Sequence, residues 1–317
     1  TVQATLTTKT TTNDKEIYHG DHAALLKSPL QTSLNSTSLS LSETADAYLS
    51  DPLGYTTLYH SEVAYCGDVS GEPSYMDRNY NTNQYTSTFE CAAYVHSDNS
   101  AQSTRGYVGV QPNVNAIIVS FRGSEDLTNW LTNIDAIRVT YDKCDGCSVH
   151  SGFLAAEQSV YSQVLDAVSN LNAKYPNYKI AVTGHSLGAA LATLTALDLQ
   201  EIFGNRVVLY NYGCPRMFNQ AAADWASSGV LNIAARRTHY KDIVPHSPPY
   251  FSGYRHTNGE IYEGGPSSDY PYFPGGPLKT CYGEEDDQCA DQWDIGSVSD
   301  HLLYSGVVMG SGGCSAL

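Results

Sequence analysis

From about residue 106 onward, short apolar runs alternate with longer stretches of helical periodicity. Residues 115–121 (NAIIVSF) and 178–183 (YKIAVT) are short, apolar and rich in β-branched residues, and read as buried strands, and 206–212 (RVVLYNY) and 232–239 (NIAARRTH) read as two further strands. Between them, Phe153, Ala156, Val160, Val164, Val168 and Leu171 recur at helical spacing across 153–174. Residues 187–203 (LGAALATLTALDLQEIF) form a strongly apolar helix with Gly204 just past its last turn. Upstream, Asp51 followed by Pro52 reads as a helix cap with proline at the first helical position, predicting a helix to about Tyr65. Strands alternating with helices, the strands apolar, imply a mostly parallel sheet covered on both faces, an α/β architecture. No internal repeat interrupts it.

Residues 1–50 differ. They are rich in Thr, Ser and Asn with little periodicity, and read as an N-terminal extension or pro-segment remnant ahead of a domain spanning 51–317. Asn35-Ser36-Thr37 is a glycosylation sequon within it. The 317 residues, 41% hydrophobic and 16% charged, supply a substantial core. A balance of 17 Lys and Arg against 33 Asp and Glu, a net charge of −16, repels phosphate backbones and excludes nucleic acid as a partner. No apolar run approaches the ~20 residues needed to span a bilayer. The opening TVQATLTTKT has neither a basic nor an apolar signal region, and is expected to follow a secretory signal already removed. With 24 Tyr and 8 Cys, the composition is that of a secreted, extracellular enzyme or binding protein.

Gly184-His185-Ser186-Leu187-Gly188 fits G-x-S-x-G and sits between a predicted strand and a long apolar helix. That is the context of a nucleophile elbow, in which a serine on a sharp strand-to-helix turn is lifted above the sheet edge. A glycine-softened turn without chemistry fits the pentapeptide alone, but the flanking elements favour Ser186 as a nucleophile. Such a serine needs a base, and the base an orienting carboxylate, in the chain order Ser, Asp or Glu, His. Asp242, in THYKDIVPHSPP directly after a strand, leads the acids; Asp224 lies in a probable helix (NQAAADWAS) and faces solvent. Spacing leaves His301 and His256 both open as the base. His185, adjacent to the serine, cannot fold back to its hydroxyl and reads as a packing or hydrogen-bonding residue.

IVSFRGS (118–124), TNWL (128–131), VHSGF (149–153), AVTGHSLGAALA (181–192), YGCPR (212–216), THYKDIVPHSPP (238–249) and DHLLYSG (300–306) together resemble the secreted fungal triacylglycerol lipases, the class 3 lipase family, whose relatives include feruloyl esterases. The resemblance runs from about residue 53 to the C-terminus. It implies the α/β-hydrolase fold with a short helical lid, a Ser186–Asp242–His301 triad, a structural His256, and an oxyanion hole from Ser124 and Leu187. It also implies three disulfides, Cys66–Cys314, Cys144–Cys147 and Cys281–Cys289, leaving Cys91 and Cys214 as thiols or a fourth bridge. No metal or organic cofactor is implied. A zinc site at Cys144-x-x-Cys147 lacks a second ligand pair. Residues before Ser50 have no counterpart in the family, and Cys214 stands where it usually has a small or polar residue.

After Ser124, the residues Leu127, Trp130, Leu131 and Ile134 fall on one face of a helix, with Glu125, Asp126, Thr128, Asn129 and Thr132 off it. An ordinary surface helix packed on the core explains this pattern; so does a lid whose apolar face covers an acyl groove and opens at a lipid surface. The resulting expectation is a monomeric triacylglycerol lipase acting on small ester substrates and, through its lid, at lipid droplets or emulsions. Feruloyl esterase or phospholipase A1 activity on the same fold is the alternative, and a catalytically dead binding module is a remote one.

Overall fold

The computed structural model describes residues 52–66, 85–98, 103–231, 234–265, 278–294 and 296–315. The 1–50 extension and Asn35 lie outside the described residues. Among the described residues, helix α1 (Pro52–Val63) comes first, followed by strands β1 (Glu90–Ser97), β2 (Thr104–Gln111) and β3 (Ala116–Phe121). Helix α2 (Leu127–Asn133) and the ribbon of β4 (Arg138–Thr140) and β5 (Ser148–His150) lead into α3 (Ser151–Lys174). Then come β6 (Lys179–His185), α4 (Leu187–Phe203), β7 (Val207–Tyr212), α5 (Gln220–Ser227) and β8 (Ala234–His239). Strands β9 (Glu260–Glu263) and β10 (Leu278–Cys281), the short helix α6 (Val298–His301) and the hairpin β11 (Leu303–Tyr304) and β12 (Val307–Val308) complete the described chain.

One sheet of eight strands carries the fold, in the order β1-β2-β3-β6-β7-β8-β9-β10. The centre, β3 through β9, is parallel, and antiparallel strands extend both margins. Side chains alternate between two cores, as the pleat requires. Ile117, Val119, Ile180, Val182 and Leu209 pack against α3 and α4. Ile118, Ala181, Val208 and Tyr210 pack on the opposite face against Leu53, Leu58 and Val63 of α1. Because both faces are buried, β3, β6 and β7 carry no polar alternation and stand out in the sequence, whereas β8 (AARRTH) and β9 (EIYE) bury paired charges, Arg236 with Glu260 and Arg237 with Glu263. The marginal strands do not stand out: β2 (TRGYVGVQ) is buried at every position yet contains Arg, Gln, Thr and two glycines, so its pattern is diluted.

Cys66 is bonded to Cys314, Cys144 to Cys147 and Cys281 to Cys289. Cys214 is a free thiol, and burial pushes it up to about 12.

A polar seam interrupts the α3–α4 core. Glu157, 1% exposed, accepts a hydrogen bond from the Thr195 hydroxyl at 3.3 Å, while its second oxygen has no partner. Nearby, the Lys143 ammonium lies 2.8 Å from both the Asp198 and Glu201 carboxylates. Burial, and then the Asp198 charge, raise the Glu157 carboxyl to about 8. The folded chain therefore holds a proton there that the unfolded chain releases near pH 4.5, so the stability contributed is full below that pH and lost as pH rises through 8. Glu157→Gln, which mimics the protonated form, is expected to unfold like the wild type near pH 4 and to be more stable at pH 9 by about 2–4 kcal/mol. Denaturant unfolding at the two pH values measures this; equal stabilities at pH 9 would refute it.

Candidate active site

Ser186 stands where β6 turns into α4. Its backbone sits at φ 60° and ψ −129°, a conformation costing a non-glycine residue about 1–3 kcal/mol. Two hydrogen bonds hold it: Ser186 N–H donates to the Tyr212 carbonyl at 3.0 Å, and Ala189 N–H donates to the Ser186 carbonyl at 2.9 Å. The glycines on either side are required by space. A Cβ on Gly184 would lie 2.3 Å from the Gly188 carbonyl oxygen, and one on Gly188 would lie 2.3 Å from that of Phe121. The turn leaves Ser186 at the N-terminus of α4, where free N–H groups and the helix dipole favour negative charge.

Asp242 follows β8 by three residues and is fixed by local bonds: its N–H donates to the His239 carbonyl at 2.8 Å, and its Oδ1 accepts the Val244 N–H at 2.8 Å. His301 ends α6, whose N-terminus is capped by Ser297. The Ser297 N–H donates to the Lys241 carbonyl at 2.6 Å, tying the two loops together. The His301 Nδ1–H donates to the Asp242 carboxylate, 2.8 Å from Oδ2 and 2.9 Å from Oδ1. Nδ1 thus carries the proton, leaving Nε2 as the acceptor. Ser186, Asp242 and His301 are each 1% exposed, and neither Ser186 Oγ nor His301 Nε2 has a hydrogen-bond partner.

Of two further partners of this trio, the sequence marks His185 as a packing or hydrogen-bonding residue and misses Tyr304. The Tyr304 hydroxyl donates to Asp242 Oδ2 at 2.5 Å. Burial alone would raise the Asp242 carboxyl, but the His301 charge and the hydrogen bonds from His301, Tyr304 and Val244 outweigh it and hold the group below its ordinary value. On the other side, His185 Nε2–H donates to the His301 carbonyl at 2.8 Å, while its Nδ1 accepts the Tyr65 hydroxyl at 2.8 Å. Burial and then the adjacent His301 push His185 far below the usual histidine range, so it stays neutral and keeps this donor–acceptor pattern. Tyr304 sits in the quoted DHLLYSG motif and His185 in the elbow itself, but neither role has a local signature.

The oxyanion candidates flank the elbow. Leu187 opens α4 and is buried, and Ser124 is half-buried. Gly123, its neighbour, packs so close that a Cβ would meet the His185 carbonyl oxygen at 2.6 Å and the Ser186 Cβ at 3.0 Å. The segment carrying Ser124 therefore runs directly beside the nucleophile.

Helix α2 turns its apolar face inward, into the core cluster that also holds Leu187. Trp130 is buried and stacks on Phe153 with ring centres 6.3 Å apart, and Leu127, Leu131 and Ile134 are half-buried against the same core. Thr128, Asn129, Thr132 and Asn133 are exposed. The helix is only seven residues long, capped by Asp126, whose side chain accepts the Asn129 N–H at 2.9 Å. Just beyond it, the Asp135 carbonyl accepts a hydrogen bond from His150 Nε2 at 2.6 Å. The same His150 caps α3 through Nδ1 and stacks on Phe153 at 4.1 Å, so one ring fastens the end of the α2 segment to the main body.

His256 lies elsewhere. Its Nε2 donates to the Pro245 carbonyl at 2.7 Å, bracing the loop after Asp242, and burial beside Arg236 and Arg216 drives its ring far below the usual range. His256→Ala is expected to cost about 1–3 kcal/mol of stability through the unpaired carbonyl, while the folded variant keeps most of its turnover. Loss of turnover at full stability would overturn this structural role. Among the described residues, no group of three His, Cys, Asp or Glu side chains is arranged to hold a metal ion, and no helix is long and apolar enough to cross a membrane.

Residues 118–252 match the family model described as lipase (class 3). The chain is 38% identical over 199 residues to secreted mono- and diacylglycerol lipase 1 of Fusarium solani, covering 62% of this chain and 54% of that protein. It is 33% identical over 214 residues to secreted mono- and diacylglycerol lipase A of Penicillium cyclopium, covering 68% and 69%. The chain thus spans about half the length of the first relative and two thirds of the second. Among solved structures, the Rhizomucor miehei lipase propeptide complex superposes with a TM-score of 0.70 at 31% identity, covering 83% of this chain and 81% of that one. The lipase of Rhizopus microsporus var. chinensis gives 0.69 at 27% identity, covering 82% and 88%.

Proposed function

The chain belongs to the class 3 lipase family and has its α/β-hydrolase fold, and from that premise we propose that it is a secreted serine lipase hydrolysing acylglycerol esters at a lipid–water interface. Ser186 attacks the ester carbonyl while His301 Nε2 takes its proton; Asp242 orients the imidazole and stabilises its cation. The Leu187 N–H, at the start of α4, and Ser124 stabilise the tetrahedral oxyanion. His301 then protonates the departing alcohol, and water releases the acyl group from Ser186 by the same steps in reverse.

One observation carries the reading. The two atoms that must exchange a proton, Ser186 Oγ and His301 Nε2, are buried without partners, the imidazole is fixed in the required tautomer, and the apolar face of α2 packs into the same core cluster as Leu187, the residue after the nucleophile. A soluble aryl esterase has no need of an apolar cover; a lipase gains a response to interfaces from one. Extracellular location is proposed from the relatives named as secreted, and a monomer with no cofactor suffices for the chemistry. The test is the rate on a short triglyceride followed across its solubility limit, beside methyl ferulate. A sharp rise when droplets form supports the lipase; smooth saturation with brisk ferulate cleavage moves the protein to the esterase branch.

A further inference from the structure

The loop that leaves Asp242 ends in a tip whose apolar side chains face solvent. Pro249, Tyr250 and Phe251 are exposed, Phe251 to 90%. Single exposed hydrophobic residues are ordinary, but a cluster on a braced turn is not. The turn is closed by the Ser252 N–H donating to the Pro249 carbonyl and the Gly253 N–H to the Tyr250 carbonyl, each at 3.0 Å, with Gly253 at φ 81°.

Two arginines clamp it. Arg138 Nη1 donates to the Gly253 carbonyl at 2.6 Å, and Arg255 Nη1 to the Tyr250 carbonyl at 3.1 Å, with its guanidinium 3.6 Å from the centre of the Tyr250 ring. The other partners of both are carbonyls, the Gln220 amide oxygen and the Tyr254 ring, which leaves two cations on this edge of a chain with net charge −16. Strands β3, β6 and β8 run parallel within the sheet, so the α2 segment, Ser186 and this loop all emerge from its C-terminal end.

We propose that Tyr250 and Phe251 form a preformed anchor on an ester-lipid surface, separate from α2 and independent of whether it is open. Arg138 and Arg255 complement the fatty-acid carboxylates that hydrolysis leaves at such a surface. The anchor rests on the lipase reading. A rigid turn carrying aromatic rings enters the interface without an ordering cost. Tyr also suits the boundary because its ring is apolar and its hydroxyl wet.

The experiment measures partition of the full chain, inactivated by Ser186→Ala, onto triolein emulsions with and without oleate. Adding Tyr250→Ser with Phe251→Ser is expected to lower partition at least about tenfold. Placing the same pair in the active chain should leave the rate on a soluble short-chain ester unchanged, which confirms the fold. In the inactive chain, Phe251→Trp should add a component of emission that shifts to the blue on emulsion, and oleate should tighten binding of the parent. Equal partition of parent and double variant, or a tryptophan at 251 that stays in water on bound protein, overturns the anchor while the lipase reading stands. An active chain that cleaves soluble esters yet neither binds nor hydrolyses triolein removes both.

Discussion

Ser186→Ala is expected to lower kcat on a soluble short-chain ester by about four to six orders of magnitude with thermal unfolding essentially unchanged. The hydroxyl makes no hydrogen bond within the protein, so its removal breaks no contact. The strained backbone is held by the Tyr212 carbonyl and the glycine contacts rather than by the side chain. His301→Ala should match the kinetic loss but not the stability. It strips the Asp242 carboxylate of its imidazole donor and leaves it buried with Tyr304 and the Val244 N–H alone, so destabilisation is expected. Asp242→Asn separates orientation from charge: an amide nitrogen facing Nδ1 favours the wrong tautomer, and a fall of about 10⁴ is expected. Turnover kinetics with a calorimetric scan on each variant decide the matter. A Ser186→Ala enzyme within tenfold of wild type would exclude an acyl-serine route.

Leu127→Ser with Trp130→Ser is expected to abolish the rise in rate at the solubility limit of a short triglyceride, while hydrolysis of soluble esters stays within a few-fold of wild type. Both side chains lie on the inward face of α2, Trp130 against Phe153. Transferring three or four such side chains from the core to a lipid surface keeps about 1.5–3 kcal/mol for each, where exposing them to water would forfeit it. An open α2 would therefore be costly in water and accessible at an interface. Serines remove that difference from both sides, so the response should vanish rather than shift. The α2 helix has only seven residues and its own cap at Asp126, so it has the means to move as a unit, with the His150 bond to Asp135 as its outer fastening. A double variant that keeps the full rise would show that α2 is a fixed part of the core.

The residues that specify the parallel centre of this fold are local and legible. β3, β6 and β7 are buried on both faces, so each appears as an apolar run, and α3 and α4 betray themselves by helical spacing. Elbow chemistry was equally readable, since the glycines that let the Ser186 turn pack against Phe121 lie within two residues of the serine. The order of serine, acid and histidine along the chain followed too, but spacing left two histidines in contention. Folding separates them: His301 meets Asp242 across 59 residues of chain, whereas His256 turns to the Pro245 carbonyl.

The marginal strands were hidden, because β2 spends buried positions on glycine and charged side chains. Hidden too were the Tyr304 bond to Asp242, the Tyr65–His185 link to the His301 backbone, and the arginine clamps under Tyr250 and Phe251. Burial periodicity is written into a segment by that segment's own side chains. A hydrogen bond between groups dozens of residues apart leaves no local trace, and exists only once the sheet has set the ends of its strands side by side.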